Sequence, residues 1–263
     1  DLGYVELVAA NPGVDPWLPQ SKSKIVLPTA HLVPPGPTEG IVINLAEQRL
    51  YFFPSTNEGR STKAIEGGRK ERAGPAFSFP IGVSRQGWAT PLGRTRVVRK
   101  RRSPVWYPTA SARREDPTLP KVVRPGPENP LGEFALYLGW PTYLIHGTNE
   151  PDGVGRRVSR GCIRLYPEDI KRLFAMATLD TPVRVVHEPV KLARAGKHIY
   201  LEVHPTLDEM SILEEKARLE PIRPKDLRPQ IRDFAGEDAH RVDWQIAYRT
   251  AAERLGIPVR ITR

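Results

Sequence analysis

Short apolar blocks, broken by glycine, proline and asparagine, run through the middle of this chain, and their period is that of strands. "IVINLAEQRLYFFP" at 41–54 sets two alternating apolar blocks on either side of a short polar turn, as a hairpin requires. Further strands are predicted at "AFSFPIGV", "GRTRVVRK", "EFALYLGW", "TYLIHG", "PVRVVHEP" and "KHIYLEVHP", with turn residues at short intervals between them. Strands that follow one another this closely predict a mainly β fold with a largely antiparallel sheet, and argue against alternating βαβ units.

The period changes at 167–177. Pro167 suits a first helical position, Glu168 and Asp169 complement the positive end of a helix, and Ile170, Leu173, Phe174 and Ala177 form one apolar stripe. Two more helices are predicted in the tail, at 208–220 and 238–255. In the second, Trp244, Tyr248, Ala251 and Leu255 share a face that is expected to dock onto the main domain. At the other end, residues 4–28 read as a short helix, a Pro/Gly turn region and a strand. Pro34, Pro35, Gly36 and Pro37 then mark a stiff linker. The predicted organisation is an N-terminal segment (1–30), a Pro-rich linker (31–39), a main domain (40–190) and a C-terminal extension of a strand plus helices (191–263).

The 263 residues suffice for one large domain with appendages. Forty basic and thirty acidic side chains give a net charge of +10, and residues 205–263 hold eleven of each. The whole excess therefore lies in residues 1–204 and implies an anionic partner. Segment 94–124 holds ten basic residues against Glu115 and Asp116, with Trp106 and Tyr107 among them, which reads either as a solvated loop or as a binding surface. Zinc-ligand spacing, a basic helix with heptads and an aromatic RNA-binding signature are all missing, so nucleic acid is not the expected partner; an anionic wall polymer or a membrane surface fits the charge. No apolar run approaches the ~18 residues that span a bilayer. The chain starts at Asp1 without a signal-peptide pattern, so an upstream segment is expected to have been removed.

One cysteine, Cys162, excludes an internal disulfide, and His146 precedes it by sixteen residues in "YLIHGTNEPDGVGRRVSRGCIRLYPEDI". A thiol becomes a nucleophile beside an imidazole or in a cationic, hydrogen-bonding setting. Arg160 and Arg164 flank Cys162, and Gly161 permits a close backbone approach and an exposed N–H for an oxyanion. The strand "TYLIH" delivers His146 at its exit. No Asp or Asn stands out to orient the imidazole, and a backbone carbonyl near Gly147 is an acceptor that suffices for that purpose. A lone cysteine is also among the most buried residue types, so a small core residue is the competing account. His187, His198 and His204 lack ligand spacing and cysteine partners, and no metal or cofactor is predicted.

"HGTNEPDGVGRRVSRGCIRL" resembles the signature of the L,D-transpeptidase family, with His146, Ser159, Gly161, Cys162 and Ile163 in register. "NPLGEFALYL" and "IVINLAEQRLYFFP" also look like sequence of that family, so the resemblance spans about 40 to about 190. Arg160 stands where many members carry a second histidine, and Arg164 where many carry asparagine; both occur in a bacterial subgroup, and the resemblance makes His146 the base. "VELVAANPGVDP" and "KIVLPTA" resemble the second half of a LysM glycan-binding module. The implied fold is a β-sandwich or barrel-like catalytic domain between a partial LysM-like segment and a helical tail.

The resemblance implies that Cys162 attacks the bond between meso-diaminopimelate and terminal D-alanine of a peptidoglycan stem tetrapeptide, with His146 protonating the leaving amine. Backbone N–H groups of Gly161, Cys162 and Gly147 are the implied oxyanion donors. Arg164, Ser159, Arg160, Trp106 and Tyr107 are the implied substrate contacts, the aromatics on a flap over the site. The acceptor is another stem's diaminopimelate or a lysine of an envelope lipoprotein, the compartment is the periplasm, and carbapenems are expected to acylate the cysteine. The rival readings are a carboxypeptidase or other cysteine hydrolase, a non-catalytic wall-binding protein and, on charge alone, a nucleic-acid binder.

Overall fold

The hairpin predicted at 41–54 forms as β1 (Gly40–Asn44) and β2 (Arg49–Phe53), with Ile43 opposite Leu50. Ile41, Ile43, Leu50 and Phe52 enter the main core, and Val42, Tyr51 and Phe53 pack together on the other face. This is the two-residue period of a strand covered on both sides. The computed structural model of the chain describes residues 1–54, 76–222 and 226–263.

The remaining strands are β3 (Phe77–Pro80), β4 (Val83–Ser84), β5 (Gly93–Arg102), β6 (Phe134–Leu138), β7 (Leu144–His146), β8 (Arg157–Ser159), β9 (Ile163–Arg164), β10 (Pro182–Val186), β11 (Val190–Ala195), β12 (His198–Val203) and β13 (Val259–Arg260). Among the described residues the largest sheet runs β3-β2-β1-β10-β5-β6-β7-β9, and β11-β12-β13 form a second. Pairing is mainly antiparallel, as the strand spacing predicts, but β1/β10, β7/β9 and the small pair β4/β8 are parallel. The fold is mainly β.

The helices are α1 (Tyr4–Ala10), α2 (Ala110–Glu115), α3 (Pro167–Met176), α4 (Leu207–Lys216), α5 (Arg228–Ala235) and α6 (Trp244–Glu253). Helix α3 buries Ile170 and Leu173 in the main core. Lys100 of β5 donates to the carbonyls of Phe174 (2.6 Å) and Ala177 (2.5 Å), so one member of the basic segment serves as a cationic cap on the negative end of α3. Arg99 lies over the Tyr137 ring at 3.7 Å. The first six basic residues of that segment thus belong to β5, four of them within the strand predicted there, and Arg96 (3.4 Å from Asp180), Arg99, Lys100 and Arg102 (over the Phe134 ring) have structural partners.

Three sequence expectations need correction. The strand expected within residues 4–28 does not form: Val26 makes its backbone hydrogen bonds to the Asn11 side chain, at 2.7 and 2.8 Å, and Leu27 stays exposed. The helix expected at 238–255 is broken, because the Asp243 side chain accepts from Gln245 and Ile246 N–H and restarts the helix at Trp244. The docking face of that helix also turns elsewhere. Trp244 and Ala251 of the predicted face, with Ala247, pack on Ile199, Leu201 and Val203 of the second sheet, while Trp244 and Tyr248 also flank the Arg228 guanidinium.

The N- and C-terminal segments meet at one place. Val5, Val8 and Ala9 of α1 pack on Met210 and Leu213 of α4. Val5 N–H donates to Gly155 O at 3.0 Å, and Arg157 donates to Leu207 O of α4 at 2.6 Å. Both segments therefore grip residues 155–157, the stretch that leads through β8 to Cys162.

Candidate active site

Strands β7 and β9 run parallel, with Ile145 opposite Ile163 and His146 opposite Arg164. Ile145 and Ile163 are buried in the main core. The two-residue period therefore turns Leu144, His146, Cys162 and Arg164 to the opposite face, with Cys162 beside Leu144 and one pleat from His146. The structure places His146 at the end of β7 and Cys162 immediately before the adjacent strand β9.

His146 is buried, and its Nδ1 lies 2.6 Å from Gly147 O. A carbonyl only accepts, so Nδ1 carries the proton and Nε2 keeps its lone pair. Burial pushes the imidazole down to about 3, the Arg164 guanidinium pushes the same way, and the bond to Gly147 opposes them. His146 is neutral at physiological pH, with Nε2 free to act as a base.

Cys162 is half-buried, and its thiol faces Thr142 O at 3.5 Å. Burial pushes the thiol above its ordinary range, against the pull of the Leu144 N–H and of Arg164. The resting pair is thus a thiol and a neutral imidazole, not an ion pair. Thr142 has φ +72°, a left-handed conformation that side chains seldom adopt, in the turn between β6 and β7.

The loop before the cysteine admits only glycine at 161. Its φ is +109°, and a Cβ there would lie 2.9 Å from the Tyr143 ring. Tyr143 donates to Ala89 O at 3.2 Å, and Thr90 donates to Gly161 O at 2.9 Å, so the 85–90 turn supports the loop from below. Ser159, expected as a substrate contact, points inward: its hydroxyl donates to Cys162 O at 2.5 Å and accepts from Gly161 N–H at 3.3 Å. That corrects its role to shaping the loop. The oxyanion set also narrows. Gly147 N–H donates to Phe134 O at 3.1 Å as the sheet continues, and Gly161 N–H is turned to Ser159, which leaves Cys162 N–H of the three.

Arg164 is mostly buried, 3.7 Å from Glu150, and its Nε is sealed from water without an acceptor among the described residues. Arg160 instead donates to Glu115 at 2.8 Å. Trp106 and Tyr107 belong to a segment crossing between β5 and β6, where Trp106 and Val123 exchange backbone hydrogen bonds of 2.9 Å; Trp106 is half-buried and Tyr107 exposed.

Sequence reasoning missed the base of that segment. Asn129 is fully buried; its amide donates to Pro104 O (2.8 Å), Arg124 O (3.2 Å) and Val123 O (3.3 Å) and accepts from Leu131 N–H at 2.9 Å. The adjoining Gly132 lies against the backbone of Gly147 and Thr148. An asparagine ahead of proline and glycine in "ENPLGEF" was the available signal.

The family description YkuD, the L,D-transpeptidase catalytic domain, matches residues 38–185. "Probable L,D-transpeptidase ErfK/SrfK" of Salmonella typhimurium is 39% identical over 267 residues, covering 99% of this chain and 79% of that protein. The chain belongs to the L,D-transpeptidase family. Two Escherichia coli relatives agree: "Probable L,D-transpeptidase YcfS" is 36% identical over 272 residues (100% of this chain, 78% of that protein), and "Probable L,D-transpeptidase YbiS" is 37% identical over 266 residues (99% and 80%). As an L,D-transpeptidase the chain is an enzyme, and no helix among its described residues is long and apolar enough to cross a membrane.

The resting protonation of the pair predicts a pH profile. With His146 neutral down to about 3 and the thiol raised, the reactive neutral pair is the dominant form between about pH 5 and about pH 8. The rate of acylation in single-turnover experiments is expected to be flat over that range and to rise only as the thiol itself ionises. An inflection near the ordinary histidine value would contradict the buried imidazole.

Proposed function

We propose that Cys162 of this enzyme attacks the carbonyl that joins meso-diaminopimelate to the terminal D-alanine of a peptidoglycan tetrapeptide stem. As the S–C bond forms, the thiol proton passes to His146 Nε2. The imidazolium then gives that proton to the departing D-alanine amine as the C–N bond breaks, leaving a thioester on Cys162. An amine acceptor attacks the thioester, His146 removes its proton, and the thiol is regenerated. The Cys162 N–H is the assigned oxyanion donor; loss of such a donor typically costs about 2.7–4 kcal/mol. The assigned compartment is the periplasm, and the acceptor is an amine, either the diaminopimelate of a second stem or a lysine of an envelope lipoprotein.

The observation that carries this reading is the hydrogen bond from His146 Nδ1–H to Gly147 O, which leaves Nε2 free on the face that bears Cys162. The basic surroundings add to it, since the stem is an acidic peptide.

The test is mass spectrometry of tetrapeptide muropeptides incubated with the enzyme and with Cys162→Ala, alone and with an added lysine-bearing peptide. Loss of D-alanine in the wild type only is the expected result, with cross-linked dimers for a stem acceptor. Adducts of the lysine peptide in place of dimers would make the acceptor a protein lysine such as that of an envelope lipoprotein. Tripeptide alone would make the enzyme a carboxypeptidase. Equal turnover of all-L peptides would overturn the reading in favour of a general cysteine hydrolase.

A further inference from the structure

Glu115 is the last residue of α2, on the segment that crosses between β5 and β6. An acidic side chain at the C-terminal end of a helix is set against the helix's own field, so its placement needs another cause. That cause is on the opposite side. One carboxylate oxygen of Glu115 bonds Arg85, and the other lies 2.8 Å from Arg160 Nε. Arg160 is two residues from Cys162, and Arg85 is fixed to the same loop because its N–H donates to Ser159 O at 3.0 Å. Glu115 therefore brings a carboxylate into a two-guanidinium site on the loop that carries the nucleophile. The two arginines together hold its carboxyl below the usual carboxylate range, Arg160 foremost.

All three partners are about a third exposed, and ion pairs so exposed contribute little to stability and exchange readily. The Arg85 Nε is sealed from water without an acceptor among the described residues, so the site holds a donor that Glu115 does not use. The crossing segment is anchored at its base by buried Asn129, whereas at α2 it is held by the small buried side chain of Ala112 and by this exposed contact.

We propose that Arg85 and Arg160 form a carboxylate subsite beside Cys162, filled by Glu115 in the free enzyme and by a carboxylate of the acyl-donor stem in the substrate complex. Binding of the donor then displaces α2, and the latch selects for an anionic stem. This rests on the stem-peptide reading above. Either the D-alanine carboxylate or the free carboxylate of diaminopimelate supplies the required chemistry, and single amidation separates them.

The experiment measures binding of a fluorescent tetrapeptide stem by anisotropy in the Cys162→Ala background, together with turnover in the Cys162 background. Glu115→Gln is expected to tighten binding about two- to fivefold, by removing a competing surface ion pair. Arg85→Ala and Arg160→Ala are each expected to weaken it by about tenfold, as for a lost hydrogen bond between charged groups. The same variants should leave binding unchanged for the stem amidated at the recognised carboxylate, with melting temperatures close to the parent's. Weaker binding by Glu115→Gln, or equal tightening of both amidated stems and the parent stem, would overturn the subsite. If the binding pattern holds but no D-alanine is released by the Cys162 enzyme, the reaction assignment fails and the subsite stands. D-alanine release without any effect of Glu115→Gln leaves the reaction standing and removes the subsite.

Discussion

Cys162→Ala is expected to abolish D-alanine release, a fall of at least about 10⁴-fold by analogy with removal of other covalent nucleophiles. Cys162→Ser should recover almost none of it. The reason lies in the base. His146 is held near 3 by burial and by Arg164, so it is a poor proton acceptor, and attack depends on the intrinsic nucleophilicity and easier deprotonation of sulfur. A serine hydroxyl gives up its proton far less readily and is not activated in this setting. Intact-protein mass spectrometry should show a stem acyl adduct on the wild type when acceptor is withheld and none on Cys162→Ala. Residual turnover within tenfold of wild type in the alanine variant would move the nucleophile elsewhere.

The pair itself was readable before the structure because strand period and motif spacing act over short distances. "TYLIH" reads as a strand ending at His146, and the structure ends β7 there. What spacing cannot carry is direction. Ser159 sits in the motif, but its hydroxyl turns inward to Cys162 O because the left-handed Gly161 reverses the loop between them. Glu115 is one of two acids in a basic segment, and its pairing with Arg85 and Arg160 spans thirty and forty-five residues. Contacts of that range leave no periodic trace. The failed strand near Val26 has a similar cause: a side-chain amide fifteen residues away supplies the hydrogen bonds that a neighbouring strand would give. The parallel partners β1 and β10 are also invisible to local pattern, since the chain between them supplies the other six of the eight strands of that sheet.

Lys191→Met is expected to destabilise the fold by about 3–5 kcal/mol, the usual result of removing one partner from a buried charge pair. Lys191 is fully buried on β11 and bonds Glu47, Glu202 (2.8 Å) and Leu32 O (2.7 Å). Glu47 also accepts from Asn44 (2.8 Å) and Tyr51 (2.9 Å), and Glu202 from Leu32 N–H (2.6 Å). His204 Nε2 lies 2.6 Å from Glu202. His31, Glu47 and Glu202 could crowd a metal ion, but the Lys191 ammonium already supplies the cation between the two carboxylates. This knot joins the β1–β2 hairpin, the linker and the second sheet, so it fastens the C-terminal extension to the catalytic sheet. Without the ammonium, two buried carboxylates face each other with too little positive charge. The cost should therefore depend on pH in a definite direction. Burial raises Glu202, but His204 and Lys191 outweigh it and hold its carboxyl below the ordinary 4.5. A depressed carboxylate contributes stability above its unfolded value, and that contribution is lost as pH falls through the folded one. The wild type should lose this share of its stability in acid, whereas Lys191→Met has already lost the part that the ammonium supplies, and keeps the His204 contact. The gap between their melting temperatures, about 10 °C at neutral pH for a chain of this size, should narrow below about pH 4. Adding Glu47→Gln and Glu202→Gln to Lys191→Met should restore part of the gap at neutral pH, because neutral amides are less costly to bury than unpaired charges. A gap that stays constant from neutral to acid pH would assign the loss to packing around the lysine stem instead of its charge.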